Sequence, residues 1–249
     1  MGKLNGKVAI VTGASKGIGA GIAVGLAAQG ASVVVNYASS KEGADRVVAE
    51  IVDQGGKAIA VQADVSKTAD VQRLFAETKR HFERVDVLVN NAGIYKFGPL
   101  ESVTEEDFHQ HYNSNVLSVF LTIQEALTYF SPTGGSIINI VTAGVEMNSP
   151  WTSLYTSTKS AVTSMTRILA KELGARNIRV NAIAPGATET EGSIAIGFIG
   201  SGMDTQMISS TPLGRLGKPS DISPAAVFLA SDDSAWVTGD ILFASGGLR

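Results

Sequence analysis

Seven short apolar segments recur along this 249-residue chain, and longer helical patterns separate them. Segments of this kind are typical of strands that are buried on both faces, as in a parallel sheet that helices cover. Their alternation with helices predicts βαβ units and an α/β fold with a doubly wound sheet. The predicted strands are Val8–Thr12, Ser32–Asn36, Ala58–Gln62, Val85–Asn90, Ser136–Val141, Arg179–Ala184 and Asp240–Phe243. The predicted helices are 17–29, 40–54, 67–82, 104–131, 155–175 and 219–231.

Composition limits the class of protein and its partners. The sequence is 44% hydrophobic and 17% charged, which is typical of a globular protein with a large core. No linker, change of composition or internal repeat divides the chain, so we expect one domain over residues 1–249. A net charge of -3 gives no indication of nucleic acid or an anionic membrane as a partner.

Other features argue against metal, thiol and membrane functions. The chain has no cysteine, which excludes a disulfide framework, a thiol nucleophile and a cysteine-ligated zinc site. The three histidines have no metal-site spacing with carboxylates, so we predict no metal site and expect His109 and His111 to face solvent. No apolar run approaches the ~18 residues that cross a bilayer, and no signal peptide pattern is present. We therefore expect a cytoplasmic enzyme or binding protein.

A glycine-rich segment joins the first predicted strand to the first predicted helix. It reads Thr12-Gly13-Ala14-Ser15-Lys16-Gly17-Ile18-Gly19. Glycines at such a turn let the backbone approach a pyrophosphate, whose charge is stabilised by the N–H groups and dipole of the helix N-terminus. A helix-capping turn is the alternative, but the position between a strand and a helix favours a dinucleotide-binding loop.

Tyr155 and Lys159 are four residues apart in a predicted helix, so their side chains lie on one face. The Lys159 ammonium should therefore stand beside the Tyr155 phenol. An unperturbed phenol has a pKa near ~10, and an adjacent cation favours its ionised form. The pair predicts a tyrosine that exchanges a proton near neutral pH, although the same spacing also occurs on solvated helices.

The segment Ala187–Gly217 interrupts the alternation of strands and helices. It contains Gly192, Gly197, Gly200 and Gly202 among the apolar residues Ile194, Ile196, Phe198 and Ile199. A long irregular segment inside a compact domain is usually functional or disordered. We expect this segment to form a mobile cover over a substrate site, with a surface excursion of no ligand role as the alternative.

These segments and several further motifs, in order along the chain, resemble the short-chain dehydrogenase/reductase family in its single-domain branch. The spacing T-G-x-x-x-G-x-G of Thr12–Gly19 matches that family, and it differs from the common G-x-G-x-x-G. The other matching motifs are Asp64-Val65, Asn90-Asn91-Ala92-Gly93, Asn115, Tyr155-x-x-x-Lys159, Pro185-Gly186 and Gly246-Gly247. The resemblance covers essentially the whole sequence. It implies a single Rossmann-type domain, a parallel seven-stranded sheet and helices on both faces.

The resemblance also implies a nicotinamide dinucleotide as cofactor. Asp64 and Val65 would hold the adenine, Lys159 would hydrogen-bond the nicotinamide ribose, and Thr188 would approach the carboxamide. The other residues that it assigns to the cofactor are Gly13, Ser15, Lys16, Gly17, Ile18, Gly19, Asn91, Ala92, Gly93, Tyr155, Pro185 and Gly186.

Local charge favours NADP(H) over NAD(H). An NAD site normally has an acidic residue at the end of the second strand, where it binds the ribose 2′-hydroxyl. This chain has Asn36 there, so no carboxylate would repel a 2′-phosphate. Lys16 supplies a cation, and the polar groups of residues 37–40 supply donors. We therefore predict that Asn36, Tyr37 and Ser39 contact the cofactor.

In the catalytic set that the resemblance implies, Tyr155 gives its proton to a carbonyl oxygen as hydride arrives from the nicotinamide. Lys159 lowers the tyrosine pKa, and Asn115 helps to hold a water chain that replaces the proton. The family usually has a serine thirteen residues before the tyrosine, and this chain has Thr142 there. Threonine keeps the hydroxyl that would stabilise charge on the substrate oxygen, and Ser149 and Ser153 are the alternatives.

The predicted function is NADPH-dependent reduction of a carbonyl (ketone, aldehyde or 3-oxoacyl) to an alcohol. A 3-oxoacyl-carrier-protein substrate would need a basic docking patch, for which Arg167, Lys171 and Arg176 are candidates. A sugar or polyol dehydrogenase is a second enzymatic alternative. A non-catalytic dinucleotide sensor is an alternative of another class, and the intact tyrosine, lysine and asparagine set argues against it.

Substrate identity and assembly depend on segments without a clear pattern. The candidate lining residues are Glu146, Met147, Trp151, Ile194 and Phe198. By analogy with the family, helices 104–131 and 155–175 would form the surfaces of a homotetramer.

Overall fold

The computed structural model describes residues 2–195 and 197–249, so Ile196 lies outside the described residues. Within these ranges, seven strands form one sheet. The strands are β1 (Val8–Val11), β2 (Ser32–Tyr37), β3 (Lys57–Gln62), β4 (Val87–Asn90), β5 (Gly135–Ile140), β6 (Ile178–Pro185) and β7 (Ile241–Ala244). Their order across the sheet is β3-β2-β1-β4-β5-β6-β7, and every pairing is parallel. The predicted doubly wound parallel sheet is confirmed.

Helices cover both faces of this sheet. They are α1 (Gly17–Ala28), α2 (Lys41–Asp53), α3 (Thr68–Phe82), α4 (Glu105–Tyr112), α5 (Ser118–Tyr129), α6 (Gly144–Met147), α7 (Ser153–Leu173), α8 (Glu191–Ala195), α9 (Met203–Ser210) and α10 (Pro219–Ala230). Side chains of α1, α2 and α10 form one hydrophobic core with the sheet, and side chains of α3, α5 and α7 form the other.

Successive residues of one strand supply both cores. In β1, Ala9 and Val11 belong to the core on the α1 side, Ile10 belongs to the core on the α3 side, and all three are fully buried. Because successive side chains of a strand point to opposite faces, a strand covered on both faces is apolar at every position. This burial explains why the strands appear in the sequence as continuous apolar runs.

The strand order reverses between β1 and β4. Doubly wound folds bind ligands in the crevice at the carboxyl ends of the strands at such a point. The Thr12 hydroxyl joins the two loops there, because it accepts hydrogen bonds from the backbone N–H groups of Asn91 and Ala92 at 2.9 and 3.0 Å. The two loops that border the crevice are therefore held in one arrangement.

The predicted helix 104–131 consists of two helices. α4 ends at Tyr112, and a π-helical turn over Asn113–Leu117 leads into α5. The wider turn shifts the face that later side chains occupy, and apolar periodicity alone does not reveal it. The prediction of one continuous helix was wrong, and the turn that interrupts it contains Asn115.

Two other expectations also differ from the structure. Ala187–Gly217 is not irregular throughout, because it contains α8 and α9. His111 is 2% exposed, with its Nδ1 2.7 Å from the Asp107 carbonyl oxygen, whereas His109 is exposed. The expectation that both histidines face solvent was wrong for His111, which lies on the inner face of α4.

The described ranges contain no helix that combines the length and the apolar character needed to cross a membrane. They also contain no cluster of three or more His, Cys, Asp or Glu side chains that could hold a metal ion.

Candidate active site

The glycine loop between β1 and α1 packs against the loop after β4. A Cβ on Gly13 would be 2.9 Å from the Ala92 Cα, and a Cβ on Gly19 would be 2.4 Å from the Asn91 Nδ2. Only glycine allows two segments of backbone to approach this closely. Asn91 completes the contact by donating from Nδ2 to the carbonyl oxygens of Thr12 and Gly13, at 2.9 and 3.0 Å. The predicted residues of the two loops therefore meet at the switch point of the sheet.

The N-terminus of α1 binds a negatively charged group. The Gly17 N–H donates a hydrogen bond to Oε2 of Glu191, the first residue of α8, at 3.0 Å. The N–H groups and the dipole of a helix N-terminus favour an anion at this position. The carboxylate stands in for a phosphate oxygen, so the loop fits the pyrophosphate of a dinucleotide. Ile18 follows in the first turn of α1 and packs against the core on that side.

Asn36, at the end of β2, supports the glycine loop from within the protein and is 1% exposed. Its Oδ1 accepts a hydrogen bond from the Gly13 N–H at 3.2 Å. Its Nδ2 donates to the carbonyl oxygens of Val61 and Ala63 at 3.2 and 3.0 Å, which uses both amide hydrogens. Tyr37 is also buried, in the core on the α1 side. Because both side chains are buried, the prediction that Asn36 and Tyr37 contact the cofactor is corrected to a supporting role.

The exposed polar groups near the glycine loop lie at the start of α2. Residues 38–40, which include Ser39, are exposed, and Lys16 is exposed on the glycine loop. A Cβ on Gly43 would be 2.6 Å from the Ser15 carbonyl oxygen and 2.7 Å from the Ser40 Oγ. Ser15 and Ser40 therefore approach each other where α2 begins. This cluster, and not the end of β2 itself, presents donors to a ligand.

The remaining predicted cofactor residues lie along the carboxyl edge of the sheet. They are Asp64 and Val65 after β3, Gly93 after β4, Pro185 at the end of β6, and Gly186 and Thr188 beyond it. The Asp64 carboxylate accepts hydrogen bonds from the Ser66 N–H and hydroxyl at 3.1 and 2.6 Å. The Thr188 hydroxyl donates to the Gly186 carbonyl oxygen at 2.9 Å. These bonds fix the turns that follow the two strands.

Tyr155 and Lys159 lie in the first two turns of α7. The Lys159 Nζ is 5.9 Å from the centroid of the Tyr155 ring, and it donates a hydrogen bond to the Ile140 carbonyl oxygen at 2.9 Å. A Cβ on Gly93 would be 3.4 Å from the same Nζ. The ammonium is therefore held between the ends of β4 and β5 and beside the tyrosine, as the i, i+4 spacing predicts.

Burial determines the pKa values of this pair. Burial raises the pKa of Tyr155 to about 12, while the Thr142 side chain acts to lower it and Tyr95 acts to raise it. Burial also lowers the pKa of Lys159 to about 8. Burial is the largest cause of the raised Tyr155 pKa in the protein by itself, and the lowering of this pKa by Lys159 stays a prediction.

Asn115 joins the loop after β4 to α7. Its Oδ1 accepts a hydrogen bond from the Ile94 N–H at 2.8 Å. Its Nδ2 donates to the Ile94 carbonyl oxygen at 2.9 Å and to the Thr158 Oγ1 at 3.0 Å. Both amide hydrogens are thus used. The role of Asn115 in a water chain stays a prediction. A water molecule would have to donate its hydrogen bond to the second lone pair of Asn115 Oδ1 or to the Asn115 backbone carbonyl oxygen.

Thr142 lies directly beyond β5. Its Oγ1 accepts a hydrogen bond from the Gly144 N–H at 3.1 Å, and a hydroxyl that accepts one bond keeps its own proton to donate. Of the three candidate hydroxyls, which are those of Thr142, Ser149 and Ser153, only the Thr142 side chain changes the Tyr155 pKa within the described chain. This proximity favours Thr142 as the hydroxyl beside the phenol.

Sequence reasoning missed two aromatic residues at the phenol. The ring centroids of Tyr95 and Phe97 are 6.1 and 5.7 Å from that of Tyr155. Both residues follow the Asn91–Gly93 loop, and their spacing was the available signal, because residues two apart in an extended segment point to the same side.

Among the predicted lining residues, Trp151 borders a cavity of about 10 Å³ together with Phe97. Glu146 and Met147 lie on α6, Ile194 lies on α8, and Phe198 follows α8.

Comparisons with known proteins agree with these features. Residues 13–249 match the family described as enoyl-(acyl carrier protein) reductase. An uncharacterized oxidoreductase of Methylorubrum extorquens is 51% identical over 249 residues, which cover 100% of both chains. The hydroxynaphthalene reductase-like protein Arp2 of Metarhizium majus is 42% identical over 98% of this chain and 95% of its own length. The crystal structure of a blue fluorescent protein from a metagenomic library, in complex with NADPH, is 41% identical, covers 99% of each chain and superposes with a TM-score of 0.91.

Proposed function

This chain is an oxidoreductase that belongs to the short-chain dehydrogenase/reductase family, and we propose that it reduces a carbonyl compound to an alcohol with NADPH. One observation carries the proposal. Tyr155, Thr142 and Lys159 meet at the carboxyl edge of the sheet, beside a loop whose Gly17 N–H donates a hydrogen bond to a carboxylate. A proton donor next to a dinucleotide loop is the arrangement that this reaction requires.

The side chains divide the work of the reaction between them. The nicotinamide, when bound, supplies the hydride that adds to the carbonyl carbon. Tyr155 donates its proton to the carbonyl oxygen, so that a neutral alcohol forms. The Thr142 hydroxyl donates a hydrogen bond to the same oxygen and stabilises the negative charge that develops there. Lys159 provides positive charge near the phenolate that is left on Tyr155.

The tyrosine pKa supports Tyr155 as the acid of the reduction at neutral pH. With its pKa raised by burial to about 12, Tyr155 is protonated and able to act as an acid. Oxidation of an alcohol would require the phenolate, which burial disfavours.

We propose NADP(H) as the preferred cofactor. Exposed Lys16 and the hydroxyls of Ser39 and Ser40 lie near the N-terminus of α2, and such groups bind a phosphate well. Residues 38–40 contain no carboxylate that would repel a 2′-phosphate. The NADPH complex of the metagenomic blue fluorescent protein supports the same choice.

Tyr155→Phe tests the proton donor. The substitution removes the hydroxyl and keeps the ring, so NADPH binding should stay nearly intact while kcat falls by at least the ~100-fold that is typical of a lost general acid. Steady-state kinetics with a ketone substrate and a fluorescence titration with NADPH give the two quantities. Turnover within a few-fold of the unmutated enzyme would exclude Tyr155 as the donor.

Ala38→Asp tests the cofactor preference. Ala38 is exposed directly after β2, so a carboxylate there would face the ribose, whereas Asn36→Asp would bury a charge and lose two donor bonds. We expect kcat/KM to favour NADPH in the unmutated enzyme, and the ratio to fall by about 10-fold or more in Ala38→Asp because like charges repel. Ala38→Asn is the neutral control and should keep the ratio. Equal or better efficiency with NADH in the unmutated enzyme would contradict the proposal.

A further inference from the structure

Tyr95 and Phe97, which we call the aromatic wall, stand beside the proposed proton donor. Their rings are nearly parallel, with an angle of 19° between the planes and 5.8 Å between the centroids. Each ring is almost perpendicular to the Tyr155 ring, at 76° for Tyr95 and 84° for Phe97. The phenol that would give its proton to the substrate therefore lies next to two nearly parallel aromatic rings.

The segment that carries the wall is held in place by contacts with two other parts of the chain. Lys96, which lies between its two residues, forms an ion pair with Asp107, with Nζ–O distances of 2.8 and 2.7 Å. The Gly98 N–H donates a hydrogen bond to the Trp151 carbonyl oxygen at 2.9 Å. This segment is therefore fixed to α4 and to the loop before α7, and its two rings are oriented in advance of binding.

Helix α8 lies against the wall at Tyr95. A Cβ on Gly192 of α8 would meet the Tyr95 hydroxyl oxygen, so α8 lies directly against the end of this side chain. The wall is nevertheless partly open to solvent, since Tyr95 is 36% and Phe97 is 47% exposed. Adjacent exposed aromatic faces mark a surface that gains free energy when an apolar ligand covers it.

We propose that the aromatic wall makes this enzyme selective for planar ketones whose carbonyl-bearing ring is fused to an aromatic ring. The inference rests on the proposed function. A flat aromatic ligand can pack against the exposed parts of these rings, while its carbonyl oxygen lies at Tyr155 and Thr142. A saturated ring system is puckered and offers no π face, so it makes a poorer contact with the same surface.

The test compares 2-tetralone with trans-2-decalone, which share the carbon skeleton and the ketone position but differ in the aromatic ring. With NADPH, kcat/KM of the unmutated enzyme should be at least about 10-fold higher for 2-tetralone, the size expected when two aromatic contacts are gained. The ratio should fall by about 10-fold in Tyr95→Leu and in Phe97→Leu, because leucine keeps apolar bulk and removes the ring.

Three controls separate selectivity from folding. Phe97→Tyr keeps the ring and should keep the ratio. Phe108→Leu removes a phenylalanine of matching exposure, 44%, that stacks on Tyr112 in α4, and it should leave the ratio unchanged. Inhibition of the unmutated enzyme needs no variant, and 2-naphthol should inhibit at least about 10-fold more strongly than decahydro-2-naphthol.

The outcomes distinguish this inference from the proposed function. Reduction of both ketones with a ratio near one would overturn the selectivity and leave carbonyl reduction standing. A ratio that both leucine variants preserve would also overturn it, because the preference would then arise elsewhere. No reduction of either ketone, with NADPH or with NADH, would overturn the proposed function together with the inference.

Discussion

Thr142 is the residue at which this active site departs from the family resemblance, because a methyl group accompanies its hydroxyl. A β-branched side chain has few χ1 rotamers, so the position of the hydroxyl is more restricted than that of a serine. The Gly144 N–H restricts it further by donating to the Thr142 Oγ1 at 3.1 Å. The hydroxyl is thus held with its own proton free, next to the Tyr155 phenol. A threonine oriented in this way can serve as the donor to the substrate oxygen.

Thr142→Ser and Thr142→Val separate the hydroxyl from the methyl group. The serine variant should retain most activity, because the donor survives. The valine variant has nearly the same shape but should lose roughly 2–4 kcal/mol of transition-state stabilisation, as other single oxyanion donors do. Comparison of kcat/KM for the two variants, with thermal unfolding to verify folding, gives the answer. Near-normal kcat in Thr142→Val would move the role to Ser149 or Ser153, where alanine should then abolish activity.

The residues that could be predicted from the sequence are those whose placement is local. Tyr155 and Lys159 are four residues apart, so they share one face of their helix wherever that helix packs in the fold. Asn36 could not be assigned correctly, because its direction and burial depend on β3 and on the glycine loop, both distant in sequence. The Tyr155 pKa likewise depends on burial by several elements, which a spacing of four residues does not express.

At the scale of elements, α8 links the glycine loop to the aromatic wall. Its first residue, Glu191, accepts the Gly17 N–H bond, and its second, Gly192, lies against Tyr95. The donor that Glu191 occupies is one that a pyrophosphate would use. We therefore expect the carboxylate and the cofactor to compete for the N-terminus of α1, so that α8 releases this contact when the cofactor binds.

Glu191→Gln should strengthen NADPH binding. Removing one exposed negative charge near the expected pyrophosphate should lower Kd by about 2- to 5-fold, the size of a charge effect at a helix N-terminus. Titration of NADPH fluorescence at low and high salt measures it, and the difference should shrink as salt screens the charge. Glu189→Gln removes an exposed carboxylate two residues away and should change Kd less. Unchanged or weaker binding in Glu191→Gln would show that the carboxylate does not oppose the cofactor.

The strands were the most predictable elements, and the short or irregular helices were the least. Every predicted strand boundary lies within two residues of the observed one, because burial on both faces leaves a continuous apolar run. The π-helical turn at Asn113–Leu117 and the helices α8 and α9 were not predicted. A single wide turn and helices of five and eight residues are too short to establish a period.

At the scale of the whole molecule, the alternation of strands and helices predicts the fold class, but the strand order arises from contacts between distant segments. The reversal between β1 and β4 creates the crevice, and every candidate catalytic residue lies near the carboxyl ends of β4 and β5.

The assembly of this chain into a homotetramer stays a prediction. Phe120 on α5 and Ile168 on α7 are exposed apolar residues on the helices that the family resemblance assigns to tetramer contacts, which supports the expected homotetramer.

The buried Lys159 makes the stability of the whole molecule depend on alkaline pH. Its pKa is about 8 in the folded protein and near 10.5 when unfolded, so between these values the unfolded chain binds more protons and stability rises with pH. Below pH 8 both states are protonated, and the full cost of burying the charge applies. A shift from 10.5 to about 8 corresponds to about 3 kcal/mol of unfolding free energy at most.

Denaturant unfolding of the unmutated protein and of Lys159→Met at pH 7 and pH 10 tests this linkage. The variant lacks the titrating group, so the free energy of unfolding of the unmutated protein should rise relative to it by roughly 2–3 kcal/mol between the two pH values. Lys159→Met also loses the hydrogen bond to the Ile140 carbonyl oxygen, which lowers the stability of the variant at both pH values. This loss does not affect the difference between the two pH values, because the Lys159 amine of the unmutated protein donates that bond in its neutral form as well. Lys171→Met, at an exposed lysine of the same helix, should show no comparable change. A parallel pH dependence of the unmutated protein and Lys159→Met would mean that Lys159 is hydrated in solution, and that its ammonium is not desolvated beside Tyr155.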